Sequence, residues 1–434
     1  MWSDASLTGV RRADAAIVGG SLTGLLTAAG LGRAGWQVAV LEAGTPGSAL
    51  PETLCAHPWA AYASIVSHTG LSQAQTHARL LQQLCRELPE QLSPLTPLHG
   101  TERYAFALLP QDEALLQEYL GLAKALGLPA QEAPDAGGCP FPVERSVLSR
   151  DVLLMDAPRL VQTLIARIRR SGGQVYSGSA VTELASGRVF TALGRVDAPV
   201  VILACGRPPG LRELLRLESR TIVRCRMTGG APLFSVQQSL RPGALTLTPA
   251  PGGLEAAWCA GRTGARPENE RVALFRRILS ARMPDYAPEA LHFSQTCVPM
   301  DGLPLIGESR AWPGRTLLCC GIATVAESAL AAAVTLRRLL GRPEPSDALY
   351  HPDRSRDRAL ARQRLRRLRA MRTLNALRRS VPRCSLCGCR LRWCTDGERW
   401  GCPVCGSVFS MMGRRIGGPA VRDTQASPRQ RPGW

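Results

Sequence analysis

The sequence lacks any apolar run that is long enough to cross a membrane. No stretch approaches the roughly 18 consecutive apolar residues that a spanning helix needs. The first residues, MWSDASLTGVRRADAA, have neither the apolar core nor the cleavage motif of a secretory leader. We therefore expect a cytoplasmic protein without a transmembrane segment.

The sequence is also poor in histidine, with six in 434 residues and none after His351. It has 15 cysteines, and six of them fall between residues 384 and 410. The other nine lie mostly in apolar segments, where a reduced cysteine packs as a small hydrophobic side chain. A metal site near the end of the chain therefore has to be built from thiolates.

The net charge of +19 is distributed unevenly along the chain. Residues 1–353 carry about +3 of it, and residues 354–383 contain twelve arginines and one aspartate. The basic character therefore belongs to a linker and a terminal module. With 45% hydrophobic residues, the main body can bury a large core in roughly two or three domains.

Residues 15–44, AAIVGGSLTGLLTAAGLGRAGWQVAVLEAG, predict a buried strand, a glycine-rich turn, a helix and a second strand that ends in Glu42. This is the context of a dinucleotide-binding fingerprint. Gly19 is predicted to form the tight turn and Gly24 to let the helix approach the strand. Ser21 replaces the middle glycine and can donate a hydrogen bond there, and Glu42 is placed to accept hydrogen bonds from ribose hydroxyls. A nicotinamide or a flavin dinucleotide satisfies the pattern equally.

Three further segments resemble the D-amino-acid oxidase-like (DAO) family of FAD-dependent amine oxidoreductases. They are a DGLP turn followed by a strand, a glycine and a helix at 299–342, the path from SRDVLLMDAP to the ACG turn at 149–206, and the closing LYHPDR at 349–354. The position of the glycine motif near the N-terminus, with a second cofactor-type segment near residue 300, favours FAD. The predicted FAD-binding residues are Gly19, Gly20, Ser21, Thr23, Gly24, Glu42, Ala43, Val181, Ala204, Gly206, Asp301, Gly302, Gly321 and Ile322.

The resemblance implies an α/β (α+β) fold in which a Rossmann-type FAD-binding domain is interleaved with an antiparallel substrate domain. The oxidoreductase is expected over 1–353, with FAD-binding parts at about 12–84, 150–206 and 297–353 and substrate parts at about 85–149 and 207–296. An Arg-rich helical linker (354–383), a degenerate Rieske or zinc-ribbon-like β module (384–423) and a disordered tail (424–434) follow.

The C-terminal module resembles the Rieske iron–sulfur domain that is fused to one branch of this family. CSLCGC at 384–389, Trp393, WGCPVCGSVF at 400–409 and GGPAVRD at 417–423 carry this resemblance. Leu386 and Cys405 stand where that branch has histidine ligands, so an ordinary two-histidine centre is excluded.

Two C-x-x-C pairs, separated by fourteen residues, remain in this module. Such spacing predicts a four-thiolate mononuclear site for Zn²⁺, with a single iron as the alternative. A two-iron cluster that uses Cys389 or Cys394, and a disulfide-bonded module, rank below it. The predicted ligands are Cys384, Cys387, Cys402 and Cys405.

The segments expected beside the flavin depart from the family pattern. Glu52 stands where the Rieske-fused branch carries a lysine, and IATVAES after Gly321 lacks a glycine-rich turn. Glu327 in that helix suits the helix dipole but opposes the flavin's charge. HFSQTCVPM before the DGLP turn lacks the arginine that family members acting on α-amino acids often use for the substrate carboxylate.

Substitutes for these groups are not evident in the sequence. Arg262 could bind the carboxylate, but solvation is its simpler role, and His57 and His292 more simply pack. No catalytic side chain is assigned, since oxidation of a neutral amine by flavin depends mainly on orientation and on flavin electronics.

Residues 355–382 predict one long helix with an apolar stripe among its arginines, ended by Pro382. It is interpreted as a spacer or as a contact with an acidic protein or an anionic surface. Nucleic acid is the less favoured partner. The expected function is FAD-dependent oxidation of the C–N bond of a small-molecule amine or amino acid. The rivals are a catalytically silent FAD-binding scaffold or sensor and, last, a nucleic-acid-binding protein that uses the Arg-rich helix and zinc ribbon.

Overall fold

The protein is represented by a computed structural model that describes most of the chain. The described residues are 6–48, 50, 53–57, 59, 61–107, 113–143, 145–206, 215–240, 245–262, 268–299, 301–309, 312–322, 324–354, 382–385, 390–394, 399–402, 407–410, 412–417 and 423–424.

Seven α-helices and 23 strands lie within these ranges. The helices are α1 (Leu22–Arg33), α2 (Tyr62–Thr69), α3 (Leu71–Leu92), α4 (Glu113–Leu126), α5 (Ala157–Arg170), α6 (Glu268–Arg282) and α7 (Val325–Leu339), with a 3₁₀ helix at Pro345–Tyr350. The strands are β1 (Gly9–Arg12), β2 (Ala15–Val18), β3 (Val38–Leu41), β4 (Thr53–Ala56), β5 (Leu98–Phe106), β6 (Gln131–Ala133), β7 (Ser146–Asp156), β8 (Gln174–Tyr176), β9 (Val181–Ala185), β10 (Arg188–Thr191), β11 (Gly194–Asp197), β12 (Val200–Leu203), β13 (Leu215–Met227), β14 (Val236–Ser239), β15 (Leu245–Ala250), β16 (Gly253–Arg262), β17 (Tyr286–Pro299), β18 (Leu305–Glu308), β19 (Arg315–Cys320), β20 (Arg392–Cys394), β21 (Arg399–Gly401), β22 (Val408–Ser410) and β23 (Arg415–Gly417). Among the described helices, none combines the length and the apolar character needed to cross a membrane.

A six-stranded sheet in the order β18-β19-β12-β2-β3-β8 forms the centre of the first domain. Its neighbouring strands are parallel except for β18, which is antiparallel to β19. Both faces of the central strands are buried, so β3 and β12 are continuous apolar runs. The predicted mixed α/β fold is confirmed.

Alternating side chains of these strands enter two different cores. Ala15 and Ile17 of β2 pack in a core with α1, α5 and α7. Ala16 faces the opposite way and packs with Val189 and Val196 of a four-stranded sheet in the order β1-β11-β10-β9. The period-2 alternation of a strand therefore places helices on one face of the central sheet and a small sheet on the other.

A larger sheet forms the second domain, in the order β17-β13-β16-β15-β14-β5-β7-β4, with β6 beside β7. Its neighbours are antiparallel except for the parallel pair β5 and β14. Helix α6 packs Phe275 and Leu279 against the sheet, as does Met283 just after it. Helix α4 packs Leu116 against Ala105 of β5 and Val147 of β7. This sheet takes strands from both sides of the predicted boundary at residue 150, because β7 runs through it.

The C-terminal module contains a sheet in the order β20-β21-β22-β23. Trp400 and Phe409 lie opposite each other on neighbouring strands and are buried. The predicted Arg-rich helix at 355–381 lies outside the described residues, as does the tail from residue 425. These predictions, and the cytoplasmic location, stay predictions.

Candidate functional site

The tight turn between β2 and α1 depends on two glycines. Gly19 has a φ of +113°, and a Cβ at this position would lie 2.7 Å from the carbonyl oxygen of Ala204. At Gly24, in the first turn of α1, a Cβ would lie 2.2 Å from the carbonyl oxygen of Gly19. A side chain at either position would therefore push the strand, the turn and the helix apart.

Ser21 is the N-cap residue of α1. Its Oγ accepts a hydrogen bond from the amide of Gly24 over 3.2 Å and donates one to the carbonyl oxygen of Ala204 over 2.7 Å. A hydroxyl has one proton to donate, so this proton is engaged within the protein. The donor role expected from the sequence is therefore used to tie the turn to the end of β12.

Glu42 joins the end of β3 to the same turn. Its Oε2 accepts from the amide of Gly20 over 2.7 Å, and its Oε1 accepts from the amide of Gly44 over 2.9 Å. Each carboxylate oxygen can accept a second hydrogen bond, so acceptors remain for ribose hydroxyls. The neighbouring Ala43 is exposed.

The predicted residues around β9 and β12 differ in exposure. Thr23 and Ala204 are buried, and Val181 is half-buried at the start of β9. Gly206 is exposed, and a Cβ built on it would meet no heavy atom within 4 Å. The end of β12 therefore has open space beside the glycine-rich turn, because β12 is the neighbour of β2 in the sheet.

The DGLP turn is held by a buried ion pair. The carboxylate of Asp301, which is 1% exposed, accepts two hydrogen bonds of 3.0 Å each from the guanidinium of Arg354. Arg354 also donates to the carbonyl oxygens of Leu303 and Pro304 over 3.1 Å and 2.9 Å. Gly302 has a φ of +83° in the middle of this turn. Asp301 therefore holds the turn in place, and Arg354 is integrated in the first domain although the sequence assigned it to the linker.

The start of α7 is the second helix N-terminus of the predicted cofactor site. Gly321 has a φ of +75°, and a Cβ there would lie 2.2 Å from Cγ of Pro299, with Ile322 following half-buried. The Oγ1 of Thr324 accepts from the amide of Glu327 over 3.1 Å, and Oε2 of Glu327 accepts from the amide of Thr324 over 3.0 Å. Glu327 is therefore used as half of a capping box.

These elements fit a dinucleotide such as FAD. The N-terminus of α1 opens at the carboxyl ends of β2 and β12, where backbone amides and the helix dipole favour a pyrophosphate. Glu42 retains acceptor capacity, and the open space at Gly206 leaves room for a ligand. The residues present therefore suit the group that the sequence predicts.

Comparison with known families identifies the family of the chain. The DAO model, described as FAD dependent oxidoreductase, matches residues 14–335. The chain belongs to the DAO family of FAD-dependent oxidoreductases. The match ends at residue 335, so it does not extend to residues 384–423, for which the sequence predicts a Rieske-like module.

Solved structures of similar fold include L-amino acid deaminase from Proteus myxofaciens in complex with anthranilate, with 17% identity and a TM-score of 0.61 over 82% of this chain and 96% of that one. Glycine oxidase from Bacillus cereus matches with 16% identity and a TM-score of 0.63 over 79% and 99% of the two chains. L-proline dehydrogenase from P. horikoshii matches with 12% identity and a TM-score of 0.61 over 80% and 98%. At these identities the similarity is one of fold. No curated protein sequence matches the chain.

The second domain of this DAO-family chain contains a buried arginine that the sequence analysis missed. Arg103 of β5 is 2% exposed. Its Nε donates to Oε1 of Gln238 over 3.0 Å, its Nη2 donates to the hydroxyl of Tyr119, and its guanidinium carbon lies 4.7 Å from the ring centroid of Trp59. Its Nη1 is buried and has no hydrogen-bond partner among the described residues. We call Trp59, Arg103, Tyr119 and Gln238 the arginine cluster.

Residues near the arginine cluster are held neutral. Burial, and then the charge of Arg103, lower the pKa of His57 to about 3. Burial raises the pKa of the Cys55 thiol to about 12, against a smaller opposing effect of Arg103. His57 uses its Nδ1 to accept from the amide of Trp59 over 3.1 Å. The side chains of Arg262 and His292 lie outside the described part.

A cleft of about 880 Å³ opens between α3, α4 and β7. Asp151 lies in its lining together with Cys85, Arg86 and Lys124. The Oδ1 of Asp151 is buried without a hydrogen-bond partner, and burial raises the pKa of this carboxyl, against smaller effects of its own amide, Arg103 and Arg86. The cleft therefore has a buried carboxyl in its wall.

The structure describes two of the four predicted metal ligands. Cys384 and Cys402 are both buried, at 2% and 0% exposure. Cys387 and Cys405 lie outside the described residues, as does Glu52. Within the described ranges, no group of three or more His, Cys, Asp or Glu side chains is arranged to hold a metal ion.

Proposed function

We propose that this FAD-dependent oxidoreductase oxidises the C–N bond of an amine or amino acid. The observation that carries the proposal is the fold shared with glycine oxidase, an L-amino acid deaminase and L-proline dehydrogenase. These proteins are named for amino-acid substrates, and this supports the same substrate class here. The catalytically silent scaffold remains the rival reading.

The chain's own residues would hold and orient the two partners. The N-terminus of α1, Glu42 and the start of α7 would bind FAD, and Ser21 and Asp301 would keep the turns of that site in shape. FAD supplies a two-electron acceptor when it is bound, so that the C–N single bond of the substrate becomes C=N. The large sheet of the second domain would cover the reacting atoms from water.

An absorption spectrum of the protein purified without added cofactor tests whether flavin is bound and whether a substrate reduces it. We expect flavin bands, and we expect anaerobic addition of a suitable amino acid to bleach them. A panel of both enantiomers of the common amino acids and of simple amines would identify the class. Bound flavin that no amine or amino acid reduces would favour the silent scaffold, and failure to bind FAD would contradict both readings.

We also propose that the C-terminal module binds one Zn²⁺ through Cys384, Cys387, Cys402 and Cys405, with a single iron as the alternative. The spacing of the two C-x-x-C pairs supports it, as does the burial of one cysteine from each pair. Elemental analysis of the full chain should find one zinc per chain. The Cys402→Ser variant should lose it, while Cys139→Ser in the second domain should keep it.

A further inference from the structure

We propose that Arg103 binds the carboxylate of the substrate, and this inference rests on the proposed amino-acid oxidation. The guanidinium is buried, and it is held by neutral groups: the amide of Gln238, the phenol of Tyr119 and the ring of Trp59. Among the described residues, no carboxylate lies within 4.0 Å of it. Burying a cation is costly unless it is paired, so an anion bound at Arg103 would be stabilised.

The orientation of Arg103 is determined by its existing contacts. Nε is engaged by Gln238 and Nη2 by Tyr119, so the plane of the guanidinium cannot turn. Nη1 remains, buried and with both of its N–H groups unpaired within the described part of the chain. A planar guanidinium that presents Nη1 and the second proton of Nη2 matches the two oxygens of a carboxylate.

The arginine cluster shares one hydrophobic core with the start of α7. Trp59 and Tyr119 pack in the core that also contains Val325 and Ala326 of the first turn of this helix. The ring of Tyr119 stacks on Trp59, with centroids 4.9 Å apart and planes inclined by 10°. The cluster is therefore packed in the same core as the helix that is predicted to face the flavin.

The sequence before the DGLP turn agrees with this role. The stretch HFSQTCVPM has no arginine, so a substrate carboxylate would need a partner other than the one that many family members use. Arg103 offers that partner from β5.

A matched pair of probes tests the site without requiring turnover. Calorimetric titration of the FAD-loaded full chain with benzoate and with its neutral analogue benzamide separates recognition of charge from recognition of shape. We expect Arg103→Met to weaken benzoate binding by about 30-fold or more, since a hydrogen-bonded charge pair is lost, and to leave benzamide unchanged. Arg226→Met is the control, because Arg226 is an exposed arginine of the same sheet that pairs with Glu289 over 2.5 Å.

Arg103→Lys covers the case in which the methionine variant does not fold. It keeps the charge but loses the planar fork, so benzoate should bind about tenfold more weakly than in the unaltered protein. Inorganic phosphate should not compete with benzoate at equal concentration. Equal benzoate affinity in the unaltered, Met and Lys proteins, or no benzoate binding to the unaltered protein at millimolar concentration, would overturn the assignment.

Flavin reduction separates this inference from the proposed function. If amino acids reduce the flavin and Arg103→Lys leaves their KM unchanged, the carboxylate site is wrong and the function stands. If no amine reduces the flavin but benzoate binding depends on Arg103, the site stands and the proposed reaction fails. An amine without a carboxylate should lose little in kcat/KM on substitution of Arg103.

Discussion

The glycine-rich turn and the arginine cluster differ in how their polar groups are paired. In the turn, the amide of Gly20 donates to Glu42. The hydroxyl of Ser21 donates to the carbonyl oxygen of Ala204 and accepts from the amide of Gly24. In the cluster, Nη1 of Arg103 is buried without a partner. Native proteins seldom leave such groups unpaired without a reason. The comparison indicates that the polar groups of the turn are satisfied within the protein, whereas Nη1 of Arg103 is available to a ligand.

The largest effect should follow from removing one partner of the buried ion pair between Asp301 and Arg354. Asp301→Ala leaves the buried guanidinium of Arg354 without its counter-ion, so we expect the free energy of unfolding to fall by about 3–5 kcal/mol. Chemical denaturation measures this loss. Glu308→Ala is the control, because Glu308 pairs with Arg315 at the surface and should cost less than about 1 kcal/mol. Equal losses would remove the distinction between buried and exposed pairs.

The next effect concerns the backbone of the turn. Gly24→Ala places a Cβ against the carbonyl oxygen of Gly19 at 2.2 Å, so we expect a loss of about 3 kcal/mol together with weaker FAD binding. Gly121→Ala is its control, because a Cβ at this position in α4 meets nothing within 4 Å and alanine is the better helix former. Thermal unfolding with and without FAD compares the two variants. An unaffected Gly24→Ala protein would contradict the close packing.

A pH effect tests the buried histidine of α3. His77 is fully buried, donates to or accepts from the hydroxyl of Tyr350 over 2.9 Å, and has an unpaired Nε2. Burial, and then the charge of Arg354, lower its pKa to about 3.

The folded pKa of His77 lies below the unfolded one, so its stabilising effect is complete above about pH 6.5 and is lost as the pH falls toward 3. We expect roughly 2 kcal/mol less stability at pH 5 than at pH 7 from this group. Denaturation midpoints across this range should show a flatter profile for His77→Gln and an unchanged one for the exposed His99→Gln. A His77→Gln profile as steep as that of the unaltered protein would place the acid sensitivity elsewhere.

The smallest effect separates capping from phosphate binding. Ser21→Ala removes the N-cap of α1 and should cost about 1 kcal/mol, whereas Ser21→Gly should cost only a few tenths. Because the hydroxyl proton is donated to Ala204, we expect the Kd for FAD to change by less than about threefold in both variants. Flavin fluorescence titration measures it. A tenfold loss of FAD affinity without a loss of stability would mean that Ser21 contacts the phosphate after all.

Much of the first domain could be predicted from the sequence. The run from residue 15 to residue 44 contains a short apolar strand, a glycine turn, a helix and a second strand, and each depends on neighbours in the chain. The exchange of the middle glycine for Ser21 was visible, but its hydrogen bond to Ala204 was not, because 183 residues separate the two. The structural role of Asp301 was hidden for the same reason, since Arg354 lies beyond the turn.

The sequence by itself determined the FAD-binding turn, the family and the absence of an arginine before the DGLP turn. Only the tertiary structure decided that Arg103 is buried, and that Gln238, 135 residues away, holds its Nε. Local periodicity and turn chemistry depend on residues a few positions apart, so they can be recognised in the sequence. The burial of a charge depends on which distant strands become neighbours in the sheet, so it exists only in the folded chain.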